Sequence, residues 1–181
     1  MYEMDGKVAL VTGAGMGLGQ ACAYTMAGLG ASVMVADLNE KAGQETVNTI
    51  EQRGGIASFV HVDVADASAV EAMVQRTIDT YGRLDSAVNN AGIVGEGTIV
   101  ANESESNWDL VMSINLKGVF LCCKYQVRQM LAQGGGAIVN MSSVMGLNGN
   151  AGAVSYAASK HGVIGITKCV ALENAQTNIR V

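Results

Sequence analysis

Lys7-Val8-Ala9-Leu10-Val11-Thr12-Gly13-Ala14-Gly15-Met16-Gly17-Leu18-Gly19 decides how the rest of this 181-residue chain is read. Its first six residues form a short, β-rich apolar run that ends in glycine, the pattern of a strand buried on both faces. Four glycines then fall within seven positions, and Gln20 to Leu29 has helical composition. Gly30 closes that helix, and Ala31-Ser32-Val33-Met34-Val35-Ala36 is a second apolar run that ends at Asp37. Strand, glycine turn, helix, strand and acid together make one βαβ unit.

The alternation continues outward from this unit. A polar helix is expected from about Asn39 to Arg53, a strand from Ile56 to Val62, a helix from about Asp66 to Tyr81 and a strand from Leu84 to Asn89. A looser, glycine-containing section leads to helical stretches Glu103 to Ile114 and Leu116 to Gln133. Strand Ala137 to Met141, helix Ala153 to Asn174 and a sixth strand beginning at Asn178 complete the chain. Strands separated by helices of this length predict the α/β class: a doubly wound parallel sheet with helices on both faces, the Rossmann arrangement. No repeat, low-complexity tract or linker divides it, so residues 1–181 are read as a single domain.

Composition narrows the function classes. Hydrophobic residues make up 49% and charged residues 15%, but the apolar runs are short, so a globular domain is expected and a membrane span is not. The opening Met1-Tyr2-Glu3-Met4-Asp5-Gly6-Lys7 is unlike a signal peptide, which makes the cytoplasm the expected location. A net charge of −5 without a basic block argues against nucleic acid or anionic lipid as a partner. Cys22, Cys122, Cys123 and Cys169 include no CxxC pair and read as reduced small hydrophobes; the adjacent pair is expected to point in different directions. His61 and His161 have no partner at metal-ligand spacing, so no metal is expected. The chain has 23 glycines and no proline, which leaves glycine to carry the tight turns.

The glycine turn does not follow G-x-G-x-x-G, because the third position of that pattern falls on Leu18. Its spacing is Thr12-Gly13-x-x-x-Gly17-x-Gly19. Its physics points the same way: glycines permit close backbone approach, and a helix N-terminus offers N–H groups to a pyrophosphate. Asp37, at the end of the second strand, suits the hydroxyls of an adenosine ribose and repels a 2′-phosphate. Its neighbours Leu38 and Asn39, and Met16 in the turn, are uncharged, which favours NAD over NADP. Asp63-Val64 and Asn89-Asn90-Ala91-Gly92 fall at the ends of the third and fourth strands, on the rim where ligands of open α/β sheets sit. Ser142-Ser143 ends the fifth strand on that rim, and Asn115 stands at the junction of two helical stretches, a place for a cap or kink as well as for chemistry. Tyr156 and Lys160, four apart on one helix, let an ammonium favour a phenolate. Alone, that pair is common on helices.

Taken together, these motifs resemble the short-chain dehydrogenase/reductase family, in its order and spacing and across essentially the whole chain. The resemblance implies a hydride exchanged between C4 of a nicotinamide and a secondary alcohol or ketone, with Tyr156 as acid/base. Lys160 and the positive nicotinamide ring would favour the phenolate, and Lys160 would also bond the nicotinamide ribose. Ser143 would hold the substrate oxygen, and Asn115 would fix a water in a relay through Lys160. The implied NAD contacts are Gly13, Met16, Gly17, Leu18, Gly19, Asp37, Asp63, Val64, Asn90, Gly92, Tyr156 and Lys160. Val119, Val127, Met130, Val163, Ile166 and Val170 give two helices apolar residues on more than one face. They are buried in the domain or meet a second copy; the resemblance implies a homo-oligomer, a dimer or tetramer.

One departure stands out. Family members run well past 181 residues, and this sequence stops in its sixth strand. The absent C-terminal part would carry a Pro-Gly turn, the substrate loop and a last strand, so a longer natural protein is expected. The competing readings are a non-catalytic dinucleotide-binding protein, such as a redox sensor, and an epimerase or dehydratase of the same superfamily, whose glycine spacing usually differs. A serine nucleophile at Ser143 is disfavoured because no histidine stands in a pattern that would activate it.

Overall fold

The computed structural model describes residues 4–181; Met1 to Glu3, part of the opening segment, lie outside the described residues. Its centre is a six-stranded parallel sheet in the order β3-β2-β1-β4-β5-β6. The strands are β1 (Val8–Thr12), β2 (Ser32–Asp37), β3 (Ile56–His61), β4 (Ser86–Asn89), β5 (Gly136–Asn140) and β6 (Ile179–Arg180). The helices between them are α1 (Gly17–Gly28), α2 (Glu40–Gln52), α3 (Ala67–Tyr81), α4 (Glu105–Met112), α5 (Gly118–Gln133) and α6 (Val154–Glu173). The doubly wound α/β fold expected from the alternation is the fold observed. The strand order reverses at β1 and β4, which opens a crevice above their carboxyl ends.

Side-chain alternation splits the core into two layers. On β1 and β2, Ala9, Val11, Val33 and Val35 face the layer of α1 and α2, where Ala23, Ala27, Val47 and Ile50 meet them. Leu10 and Met34 face the opposite layer, with Val70 and Met73 of α3 and Leu121 and Met130 of α5. Every residue of β1 is buried, as a central parallel strand requires. Each fully buried Leu, Val or Met contributes about 1.5–3 kcal/mol of transfer free energy.

Side chains cap three helix starts. Asn39 accepts the Ala42 N–H at 3.0 Å, Asp66 accepts the Ser68 N–H at 2.8 Å, and Ser104 accepts the Asn107 N–H at 3.1 Å. α1 has no side-chain cap, so the donors of its first turn are left for another acceptor.

Two local expectations change. Instead of two helices broken at Asn115, a π turn over Ser113–Lys117 carries α4 into α5 without a break. Cys122 and Cys123 diverge as neighbours on a helix do, yet both are buried in one core layer, because the apolar stripe of α5 is wide enough to take adjacent residues. β5 ends at Asn140, so Ser142 and Ser143 lie just beyond the strand, and Ser143 caps a short 3-10 turn at Val144–Gly146. The apolar residues of α5 and α6 singled out above belong to this core: Val119, Met130 and Val163 are buried, and Val127, Ile166 and Val170 pack against them.

Candidate active site

The glycine turn is held from three sides. Ala14 N–H bonds Ala36 O at 3.2 Å, continuing the β1–β2 ladder. Thr46, fully buried on α2, donates to Ala14 O at 3.0 Å, and Gln20 Nε2 spans Gly15 O at 3.1 Å and the Thr46 hydroxyl at 3.0 Å. From β4, Asn90 Nδ2 donates to the carbonyls of Thr12 and Gly13, both at 3.1 Å, while Thr12 Oγ1 accepts the Asn90 and Ala91 N–H groups. Gly13 has φ +62°, and a Cβ there would lie 2.9 Å from Ala91 Cα. A Cβ on Gly19 would run into Gly13 O and the Asn90 amide. Glycine at these two positions lets α1 press its bare N-terminus against the turn.

Asp37 leans back over this turn. Its Oδ2 accepts the Gly15 N–H at 2.7 Å and its Oδ1 the Asn39 N–H at 2.8 Å. A crevice of about 400 Å³ opens beside it, lined by Gly13, Met16, Leu18, Asp37, Leu38, Asp63, Val64, Asn90, Gly92 and Ile114, among others. Its lining includes no lysine or arginine. Met16, Leu18 and Leu38 are exposed there, offering apolar surface to a flat ring, while Asp63 is tied into its own turn by the Ala65 N–H at 2.9 Å. Gly17 and Gly19 lie in the first turn of α1 and do not line the crevice.

Asn115, Tyr156 and Lys160 gather at the other end of the rim. The Asn115 side chain is fully buried and pairs with a peptide of the β4–α4 loop: Oδ1 accepts Ile93 N–H and Nδ2 donates to Ile93 O, both at 2.8 Å. Its Nδ2 also donates to Ser159 Oγ at 3.2 Å. Lys160 Nζ donates to Met141 O at 2.8 Å and stands 5.6 Å from the Tyr156 ring centroid. Only 4% of Lys160 is exposed, and burial pulls its ammonium below the ordinary lysine value, which eases proton release. Gly92 joins these groups: a Cβ there would lie 3.1 Å from Asn115 Oδ1 and 3.6 Å from Lys160 Nζ. Ser142 Oγ donates to Lys160 O at 2.9 Å, which ties the segment after β5 to α6, and Ser143 follows on the same rim with its Oγ accepting the Met145 N–H at 3.2 Å.

The family model for short chain dehydrogenases matches residues 7–181. The chain belongs to that family. An uncharacterized oxidoreductase of Thermotoga maritima is 46% identical over 179 residues, 99% of this chain and 70% of the relative. The cyclohexanol dehydrogenase of an Acinetobacter species is 42% identical, over 99% of this chain and 71% of its own length. A crystal structure of levodione reductase superposes with a TM-score of 0.97 at 35% identity, covering 99% of this chain and 70% of the other. The short-chain dehydrogenase relatives thus extend past the residues given for this chain. Membership makes it an oxidoreductase of the dehydrogenase/reductase class, acting on small molecules, in a family that uses nicotinamide dinucleotides. No helix among the described residues is long and apolar enough to cross a membrane.

Several residues of this short-chain dehydrogenase site carry no motif. Thr46, Gln20 and Ser159 are the clearest. Thr46 leaves a faint signal: Gly43, Thr46, Val47 and Ile50 form the buried stripe of α2, and a lone hydroxyl in such a stripe calls for a partner. Gln20 and Ser159 leave none.

Proposed function

We propose that this chain carries the dinucleotide-binding and acid/base machinery of an NAD-dependent oxidoreductase acting on a secondary alcohol or ketone, within a single domain. The observation that carries the reading is the meeting of Asn115, Lys160 and Gly92 on the rim beside Tyr156, continuous with the glycine-turn crevice. The residues present fit a dinucleotide: Gly13 and Gly19 let the N-terminus of α1 close against the turn at the crevice, and α1 has no side-chain cap to consume its N–H groups. A bound NAD supplies the hydride acceptor, C4 of its nicotinamide ring.

In oxidation, Tyr156 Oη takes the alcohol proton as the C–H electron pair leaves, so the carbinol becomes a carbonyl. Ser143 Oγ holds the substrate oxygen and orients that proton toward Tyr156. Lys160 stabilises the phenolate and bonds the nicotinamide ribose, and Asn115 orders a water behind Lys160. Reduction runs the same groups in reverse. At the other end, Asp37 takes the adenosine ribose hydroxyls, while Gly13, Met16, Gly17, Leu18, Gly19, Asp63, Val64, Asn90 and Gly92 line the dinucleotide. A carboxylate in a crevice without cationic lining favours NAD over NADP. The cyclohexanol dehydrogenase relative supports a secondary alcohol as substrate. The proposed setting is the cytoplasm and a homodimer or homotetramer.

Tyr156→Phe is the deciding variant. With NAD and a panel of secondary alcohols, turnover is expected to fall by about 10²–10⁴-fold while NAD binding stays unchanged. Turnover surviving in Tyr156→Phe would overturn the acid/base assignment. Binding of NAD without turnover in the wild-type protein would leave a dinucleotide-binding protein.

A further inference from the structure

Ser159 sits between two residues of the proposed site, Asn115 and Tyr156, and is not itself one of the reacting groups. Its side chain is fully buried on α6, one turn beyond Tyr156. Its hydroxyl donates to Tyr156 O at 2.7 Å, which commits its only proton. Ser159 Oγ therefore meets any further partner as an acceptor, and the partner it meets is Asn115 Nδ2 at 3.2 Å. That contact uses the second hydrogen of the Asn115 amide, the first being bonded to Ile93 O. With Oδ1 taking Ile93 N–H, both amide hydrogens and one oxygen lone pair are spent, and the amide cannot turn without losing all three bonds.

We infer that Ser159 is a positioning residue: it locks Asn115 to the turn of α6 that carries Tyr156 and Lys160, so that the π turn and α6 hold one fixed spacing. The geometry gives this lock a direction. Asn115 Oδ1, an acceptor, faces the Gly92 corner where the Lys160 ammonium also stands, and the amide hydrogens face Ile93 and Ser159. A rotated amide would set hydrogens toward that cation instead of oxygen. Leu116 packs on Gly162 of α6, but that apolar contact sets no amide orientation, the π turn replaces ordinary helix bonding and α6 has no N-terminal side-chain cap. A hydroxyl that only satisfied its own helix would need the Tyr156 carbonyl and nothing more.

The inference rests on the proposed acid/base role of Tyr156, and its test separates the two. Full-length Ser159→Ala is expected to lose about ten- to a hundredfold in kcat through misplacement of the reacting groups, with KM for NAD within twofold of wild type. In an Asn115→Ala background the same substitution is expected to cost less than twofold, because the residue it positions is gone. Ser159→Cys, which keeps a weaker hydrogen-bonding atom in nearly the same volume, should fall between wild type and alanine, and it carries the test if the alanine variant does not fold. A kcat within twofold of wild type in both variants would overturn the inference, as would an undiminished loss in the Asn115→Ala background. Turnover persisting in Tyr156→Phe would instead reject the acid/base reading, whatever the serine variants do.

Discussion

Asn89 and Gln126 exchange two side-chain hydrogen bonds between the end of β4 and the middle of α5, Gln126 Nε2 to Asn89 Oδ1 at 2.7 Å and Asn89 Nδ2 to Gln126 Oε1 at 2.9 Å. Asn89 Nδ2 also reaches Asn140 Oδ1 at 2.9 Å, and Asn140 Nδ2 reaches Thr167 Oγ1 at 3.0 Å. The chain of amides joins β4, β5, α5 and α6 just beneath the rim. Asn89 N–H and C=O stay in the ladder, where its carbonyl accepts the Met141 N–H at 3.0 Å, and Met141 O in turn anchors Lys160. Buried polar networks of this kind fix a spacing at the cost of being sensitive to any missing member.

Gln126→Leu should therefore destabilise more than its volume change suggests. It strands the Asn89 amide in the core, a penalty of about 1–3 kcal/mol for an unsatisfied buried group. For a domain of this size that corresponds to a fall of about 2–12 °C in Tm, read by calorimetry. A Tm within 1 °C of wild type would show that water or Asn140 takes over the amide.

The dinucleotide preference proposed for Asp37 would act through a carboxylate already aligned by the Gly15 and Asn39 N–H groups. Asp37→Ser would exchange the proposed charge-assisted bonds to the ribose hydroxyls for neutral ones, a loss of about 1.5–3 kcal/mol in all. NAD affinity is expected to drop about 10- to 100-fold, and that of NADP to rise as the repulsion of its 2′-phosphate disappears. Titrations with both cofactors check the change in their ratio; an unchanged ratio would place the adenosine ribose elsewhere.

The sheet was legible because buried parallel strands are short apolar runs whose ends are marked by glycine or an acid, as at Thr12–Gly13 and Ala36–Asp37. The crevice was legible for the same reason, since ligands gather where those runs stop. What stayed hidden depends on contacts between residues far apart in the chain. Thr46 reaches Ala14 across 32 positions and Ser159 reaches Asn115 across 44; the first leaves only a hydroxyl in an apolar stripe and the second no local pattern. The π turn escaped because Ser113-Ile114-Asn115-Leu116-Lys117 has ordinary helical composition. Only the pull of Ile93 on the Asn115 amide marks the place where the helix opens, and that pull is invisible without coordinates.

Thiol chemistry offers an independent check of the α5 packing. Burial raises the Cys123 thiol to about 11, and burial first, then the neighbouring Cys123, raises Cys122 further still. Cys169 is exposed on α6, and Cys22 is half-buried on α1. Labelling the native protein with a thiol reagent at pH 8 should modify Cys169 first and leave Cys122 and Cys123 untouched until the protein unfolds. Peptide mapping identifies the sites, and native labelling of either α5 cysteine would contradict their place in the core.

Lys160 carries a cost in stability that its proposed role explains. Burial depresses its folded-state value below the ordinary 10.5, so between the two values the unfolded chain binds more protons than the folded one. Stability contributed at this position therefore rises with pH across that window; below the depressed value the cost of burying the charge is fully present, and above 10.5 it is gone. Lys160→Met removes the buried charge and gives up one charge-assisted bond to Met141 O, about 1.5–3 kcal/mol. Turnover is expected to collapse by about 10²–10⁴-fold with loss of the group that stabilises the phenolate. The difference in Tm between wild type and variant should move in favour of wild type as pH rises from neutrality toward the ordinary lysine value. A difference that stayed flat with pH would mean that the Lys160 ammonium is hydrated in the folded protein, and that its burial on α6 has no part in tuning the site.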